Sequence, residues 1–208
     1  MEKILSIVVP AYQSENCLKK CVSSLLATGS VEKLDIIVVD DGSTDQTGEI
    51  ADQFAREHPN SISAIHKENG GHGSGINVAI QKARGRFFRV VDADDWLLTE
   101  NIPAYLEELE SCTADVVING FHRVRRNGRC RVPVEAPLEL LKKTWPMAKL
   151  TDKWTSLRNC FTIHGITYRR ECYLASKVCL TEKTFYEDNE YTTLPFCQVE
   201  QVYFSPLF

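Results

Sequence analysis

Val90-Val91-Asp92-Ala93-Asp94-Asp95-Trp96 puts three carboxylates into four residues, at the end of the apolar, β-prone run Phe87, Phe88, Val90 and Val91. Strand ends in open α/β sheets are where ligands bind. Acids clustered there repel a bare phosphate. A divalent cation removes the conflict, because hard oxygen ligands hold Mg²⁺ or Mn²⁺ and the metal then holds a diphosphate. An isolated Asp-x-Asp is more often a polar loop capping a strand, so the surrounding chain carries the decision.

Upstream of that stretch, strand and helix signals alternate. Ile4 to Val9 reads as a short buried strand closed by Pro10. Ser14 stands as N-cap of a helix whose apolar face is Cys17, Leu18, Cys21, Val22, Leu25 and Leu26. Leu34 to Val39 is a second strand, turned by Asp40-Asp41-Gly42. Ser43 and Gln46 have capping-box spacing for a helix through Ile50, Ala51, Phe54 and Ala55. Ile62 to Ile65 is a third strand. Gly70, Gly71, Gly73 and Gly75 lead into a helix through Val78, Ala79, Ile80 and Ala83, and Arg86 to Val91 is the fourth strand. This rhythm predicts an α/β fold, with right-handed crossovers and a mainly parallel central sheet covered by helices on both faces.

The second half is less regular. It predicts a helix over Glu100 to Glu110 and a strand over Asp115 to Asn119. A hairpin follows, in which Arg123, Arg125, Arg126, Arg129 and Arg131 flank the turn signal Asn127-Gly128. No linker or repeat interrupts the chain, so residues 1–208 read as a single domain.

At 208 residues and 43% hydrophobic, the chain can bury one sizeable core. A net charge of −4 argues against nucleic acid as a partner. None of the eight cysteines forms a Cys-x-x-Cys pair, which speaks against zinc. Met1-Glu2-Lys3 is not a basic leader, and eight thiols without one fit a reducing cytoplasm. No stretch is long and apolar enough to span a membrane. The glycine-rich turn is not a dinucleotide loop, because Ile76 stands where Gly-x-Gly-x-x-Gly needs its last glycine.

Four motifs occur in order: Ser6-Ile7-Val8-Val9-Pro10-Ala11-Tyr12, Ile37-Val38-Val39-Asp40-Asp41-Gly42-Ser43-Thr44-Asp45, Asn69-Gly70-Gly71 and Asp92-Ala93-Asp94-Asp95. Together they closely resemble family 2 glycosyltransferases of the GT-A nucleotide-diphospho-sugar transferase fold. The resemblance is good over residues 4 to 110 and patchy beyond. It implies an inverting, metal-dependent hexosyltransferase-type enzyme that moves a sugar from a UDP-sugar to a hydroxyl acceptor, of the cell-surface polysaccharide or glycolipid type. Residues 1–110 become the nucleotide-sugar half and 111–208 the acceptor and catalytic-base half.

The resemblance assigns donor contacts to Pro10, Ala11, Tyr12, Asp40 and Asp41, and to Asn69, Gly70, Gly71, Asp92 and Ala93. The chemistry of these residues agrees. Tyr12 can stack on a flat uracil, and the Asp41 carboxylate can accept its imide N–H. The four glycines leave little side-chain bulk where backbone would approach a ligand. Asp94 leads the Mg²⁺ or Mn²⁺ ligand set, with Asp92 and Asp95 able to share it. His72 is the one bulky group in the glycine turn and can reach a phosphate or sugar. Gly75-Ile76-Asn77 stands where the family often carries an arginine, shortly after the glycines, for a phosphate contact.

A second acid cluster, Phe185-Tyr186-Glu187-Asp188-Asn189-Glu190-Tyr191, suits the first turn of a helix. The family places its catalytic base at this point in the order. The role passes to Asp188, with Glu187 as the alternative, because an acceptor hydroxyl is a weak nucleophile until a carboxylate takes its proton. His164 is either an acceptor-side residue or a structural histidine. No Lys or Arg follows Lys183, which predicts that a C-terminal segment is missing. The expected partners are a UDP-sugar and a glycan or lipid-linked acceptor, at the cytoplasmic face of the membrane with peripheral association. The rival readings are a sugar-phosphate nucleotidyltransferase and a sugar-nucleotide-binding module without transfer activity.

Overall fold

Short valine and isoleucine runs with no polar residue inside them are satisfied only between two layers, so they become the middle of a sheet. The computed structural model of the protein describes residues 2–26, 30–124 and 131–207. Its strands are β1 (Leu5–Ala11), β2 (Leu34–Asp40), β3 (Ile62–His66), β4 (Phe87–Val90) and β5 (Val116–Ile118), then β6 (Phe121–Val124), β7 (Arg131–Val134), β8 (Lys143–Pro146), β9 (Ile166–Arg169) and β10 (Gln201–Phe204). Eight of them form one sheet in the order β3-β2-β1-β4-β9-β5-β10-β8, and β6 and β7 form a separate antiparallel ribbon. β3, β2, β1 and β4 are parallel neighbours, as are β5 and β10. β9 runs antiparallel between β4 and β5, and β8 is an antiparallel edge. The mainly parallel α/β expectation is borne out.

The helices are α1 (Leu18–Leu25), α2 (Thr47–Glu57), α3 (His72–Lys82), α4 (Ile102–Ser111), α5 (Trp154–Leu157), α6 (Arg170–Ala175) and α7 (Glu187–Thr193). Strand residues alternate between two cores, as a pleat requires. Ile7, Val9, Ile36, Val38 and Phe87 pack with α1, α2 and α4 on one face. Val8, Ile37, Val39, Phe88 and Val90 pack with α3, α6 and α7 on the other.

Several local expectations need correction. β1 continues through Pro10 to Ala11, paired in register with Val39 and Asp40. Pairing with β4 stops at Val8, so Pro10 lies where β1 has a neighbour on one side only, and a missing N–H is tolerated there. Ser14 does not cap α1, which starts at Leu18; the Ser14 hydroxyl donates to the Tyr12 carbonyl instead. Ser43 does not cap α2 either. Asp45 accepts the Thr47 N–H at 3.0 Å, while the Ser43 hydroxyl accepts the Gln13 N–H. The fourth helix is α4, which starts at Ile102 after a 3₁₀ turn over Thr99–Asn101. The turn of the arginine-rich hairpin, with Arg125, Arg126, Asn127, Gly128 and Arg129, lies outside the described residues, and β6 and β7 are its two arms.

At the strand ends opposite the acid cluster, one buried carboxylate joins three segments. Asp35 accepts the Arg84 side chain on Oδ1, and the Ser6 hydroxyl and Arg84 N–H on Oδ2. The Ser6 hydroxyl in turn accepts the Gly85 N–H at 2.8 Å. A Cβ on Gly85 would stand 2.3 Å from the Ser6 backbone nitrogen, and backbone there cannot move without breaking β1. Gly85→Ala is expected to cost about 3 kcal/mol, read as a lower urea midpoint with an unchanged slope.

Candidate active site

Parallel strands all end on the same edge, so β1, β2 and β4 deliver Tyr12, Asp40-Asp41 and Asp92 to that edge, with Asp40 and Asp41 buried beside the cleft rather than in its lining. A cleft of about 610 Å³ opens there, lined by Pro10, Tyr12, His72, Asp92, Asp94 and Asp188 among others. Ala93 lies buried at its edge, and Ala11 faces the core beneath. Tyr12 is 53% exposed, which leaves a ring face free for a flat partner.

Asp41 is almost fully buried, and three groups satisfy its carboxylate. Lys67 Nζ donates to Oδ1 at 2.7 Å, Gly70 N–H to Oδ1 at 3.0 Å and Gly71 N–H to Oδ2 at 2.7 Å. Asn69 Nδ2 closes the turn on the Asp41 carbonyl. A carboxylate has about four acceptor positions, so one on Oδ2 remains. Asp40 accepts the Ser43 N–H, and its Oδ2 lies 3.0 Å from His66 Nδ1. Burial pushes the Asp40 carboxyl up, but the Ser43 and His66 hydrogen bonds outweigh it and hold it below the ordinary value. Hydrogen bonds to Asp52 and Asp40 raise His66.

Two of the glycines expected beside a ligand serve a different neighbour. Gly71 has φ +88°, and a Cβ there would stand 3.2 Å from the Lys183 nitrogen. One on Gly73 would stand 3.0 Å from both Glu187 Cγ and the Thr181 carbonyl. The start of α3 is bare because the segment before α7 packs on it. Asn77 fastens that segment, giving and accepting one hydrogen bond with the Leu180 backbone, each at 2.9 Å. The Lys183 N–H adds a bond to the Gly70 carbonyl at 2.7 Å.

The three acids of the β4 end separate in space. Asp92, Asp95 and His164 each offer a ligand atom, all within 4.8 Å of one another. His164 Nδ1 lies 3.1 Å from Asp95 Oδ2 and 3.9 Å from Asp92 Oδ2. Asp94 is exposed and stands outside that group. The Asp95 hydrogen bond raises the His164 pKa, against burial. Burial would raise the Asp92 carboxyl, but His72 and the His164 charge outweigh it and hold it low. Sequence reasoning named His164 only as an acceptor-side or structural histidine and did not join it to these acids.

Glu187 and Asp188 occupy the first turn of α7, as expected. Glu187 is buried and its Oε1 lies 2.8 Å from His72 Nδ1, while Asp188 remains partly open. Behind them Tyr191 is fully buried, its carbonyl taking the Tyr168 hydroxyl at 2.7 Å. A second cavity of about 790 Å³ adjoins the cleft, bounded by Arg89, Trp96, Tyr105, Phe121 and Arg123. Asp92, Asp94, Ile163, His164 and Asp188 border both spaces.

Residues 6–173 match Glycosyl transferase family 2, and the chain belongs to that family. It is 30% identical over 203 residues to the uncharacterized glycosyltransferase EpsJ of Bacillus subtilis, covering 97% of this chain and 58% of that protein. It is 29% identical over 148 residues to the poly(ribitol-phosphate) beta-N-acetylglucosaminyltransferase TarS of Staphylococcus aureus, covering 71% of this chain and 25% of that one. The crystal structure of S. aureus TarS 1-349 in complex with UDP-GlcNAc superimposes with a TM-score of 0.76 at 24% identity, over 97% of this chain and 55% of that chain. The mannosyltransferase PcManGT from Pyrobaculum calidifontis, in complex with GDP-Man and Mn²⁺, gives 0.67 at 18% identity, over 99% and 55%. The fold is GT-A. The chain spans little more than half the length of EpsJ and a quarter of TarS.

The Asp40–His66 pair generates a pH signature. His66 is raised above 6.5, so its contribution is complete below that value and is lost as pH rises through the folded-state pKa. Asp40 is lowered below 3.8, so its contribution is present above that value and is lost as pH falls through the folded-state pKa. His66→Gln is therefore expected to lower Tm more at about pH 5.5 than at about pH 9. Equal losses at both would disprove the charged pairing.

Proposed function

We propose that this chain is the donor-binding and catalytic domain of an inverting glycosyltransferase that moves a sugar from a UDP-sugar to a hydroxyl of a glycan or lipid-linked acceptor. The carrying observation is that Asp188 borders two adjoining cavities whose shared wall includes Asp92, Asp94 and His164. A transfer enzyme needs one space for each substrate and a base between them.

The smaller cleft takes the donor. Tyr12 stacks on uracil, and the remaining acceptor position of Asp41 Oδ2 takes the imide N–H. Asp40, Asn69, Gly70 and Gly71 hold that corner in shape. Asp92 faces the ribose or sugar hydroxyls. The fold relative TarS, crystallised with UDP-GlcNAc, supports a UDP-linked donor. The residues present also fit a divalent ion. Asp92, Asp95 and His164 converge, with Asp94 at the rim of the same cleft. A mixed carboxylate and imidazole set suits Mn²⁺ better than Mg²⁺. When bound, the ion supplies charge neutralisation for the departing diphosphate.

Asp188 accepts the proton of the acceptor hydroxyl. That oxygen forms a bond to the anomeric carbon as the carbon–UDP bond breaks on the opposite side, which inverts the centre. Asp188 is preferred to Glu187 because Glu187 is buried and engaged by His72. The larger cavity takes the acceptor, with aromatic walls and basic groups suited to a polar glycan. Free thiols fit the cytoplasm, with peripheral membrane contact for a lipid-linked acceptor.

Three outcomes test this reading. UDP is expected to bind with Mn²⁺ and to weaken about tenfold or more with EDTA, in Asp95→Asn or in His164→Ala. Calorimetry in the presence and absence of Mn²⁺ measures this, and equal affinity in EDTA would remove the metal. CDP, with an acceptor at N3, is expected to bind about tenfold more weakly than UDP.

Asp188→Asn is expected to keep UDP affinity and lose about 10² to 10⁴ in the rate of UDP release from UDP-sugars. Full turnover in that variant, with loss in Glu187→Gln, would move the role to Glu187.

A further inference from the structure

His72 is the first residue of α3, and both of its ring nitrogens are engaged by acids of the cleft. Nδ1 lies 2.8 Å from Glu187 Oε1 and Nε2 lies 3.0 Å from Asp92 Oδ1. Each nitrogen faces a carboxylate oxygen, so one imidazole spans the end of β4 and the first turn of α7.

The segment that α7 grows from cannot set its own position. Lys183 and Tyr186 are non-glycine residues with φ +55° and +70°, and Phe185 and Tyr186 are 90% and 79% exposed. A bulky residue in the left-handed region persists only when its surroundings impose it. The surroundings supply four fastenings. Glu190 accepts the Thr181 N–H at 2.7 Å and the Thr181 hydroxyl at 2.8 Å, which ties the segment to α7 itself. Asn77 and the Gly70 carbonyl hold the segment at Leu180 and Lys183. Tyr191 holds the buried side of α7 among Tyr168, Tyr173 and Phe88. The first turn, which carries Asp188, is tied across the cleft through Glu187 and His72. The bare Cβ position of Gly73 lets Glu187 come close enough for that bond.

The same imidazole also orients Asp92. Its Oδ1 is held by His72, which leaves Oδ2 turned toward His164. We propose that His72 is a positioning residue: by bridging Asp92 and Glu187 it sets the distance between the donor-side acid and the base Asp188. This rests on the assignment of Asp188 as base. A displacement of about 1 Å between reacting groups can cost on the order of 10²-fold in rate.

The test uses His72→Ala, Glu187→Gln and the double variant. Hydrogen–deuterium exchange over residues 181–190 is expected to rise about tenfold in His72→Ala, with the β1, β2 and β4 amides unchanged. The kcat for UDP release from UDP-GlcNAc or UDP-glucose is expected to fall on the order of 10²-fold with KM little changed, a larger loss than any in Mn²⁺-dependent UDP affinity transmitted through Asp92. If His72 acts through Glu187, the double variant is no slower than His72→Ala. Unchanged exchange over 181–190, multiplicative losses in the double variant, or a loss carried by UDP affinity would each overturn the proposal, the last by making His72 a diphosphate contact. A wild-type protein without turnover would count against the transferase reading, while the exchange result would still judge the bridge.

Discussion

The Asp41 carboxylate is the constraint from which the site is hung. It is a buried acid at the end of β2, and a buried charge must be paired and hydrogen-bonded. Lys67, Gly70 N–H and Gly71 N–H meet that demand. Hydrogen bonds to a charged group contribute about 1.5–3 kcal/mol each, enough to fix one path for the turn between β3 and α3. That path decides where α3 begins, and therefore where His72 points and where the 180–187 segment can lie. The corner around Asp41 and the place of α7 are thus consequences of one satisfied carboxylate.

The cleft carries more acids than an open surface would tolerate at close range, and histidines offset them. His72 stands between Asp92 and Glu187, and His164 stands beside Asp95. Asp94 is left exposed at the rim. The arrangement aims Asp92, Asp95 and Glu187 before any ligand arrives, which lowers the cost of organising them on binding. It also explains two of the glycines. Gly71 and Gly73 make room for the 180–187 segment, rather than only for a ligand.

The aromatic group behind α7 does complementary work. Tyr168, Tyr173, Tyr191 and Phe88 pack with ring centroids 5.3–6.2 Å apart. Edge and tilted contacts of this kind add about 0.5–1.5 kcal/mol each beyond burial. They hold the rear of α7 while polar bonds hold its front, so the first turn can be both acidic and well placed.

Much of this was legible in the residues alone. Short buried apolar runs pointed to β1, β2, β3 and β4, and apolar faces at helical spacing to the helices between them, because burial is written locally. The acids ending β4 and those opening α7 were readable for the same reason: a carboxylate at a strand end or in a first helical turn has a local cause. The caps misread at Ser14 and Ser43 show the limit: the Ser14 hydroxyl turns back to the Tyr12 carbonyl of its own loop, and the Ser43 hydroxyl is taken by the Gln13 N–H from another. What only the tertiary structure decided is who meets whom. His164 reaches Asp95 because it precedes β9, and β9 runs antiparallel beside β4, so the start of one strand lies next to the end of the other. Asn77 meets Leu180, and His72 meets Glu187, because α3 and α7 share one face of the sheet. Chain pattern encodes which side of an element is buried, but strand order and direction decide which distant loops share an edge.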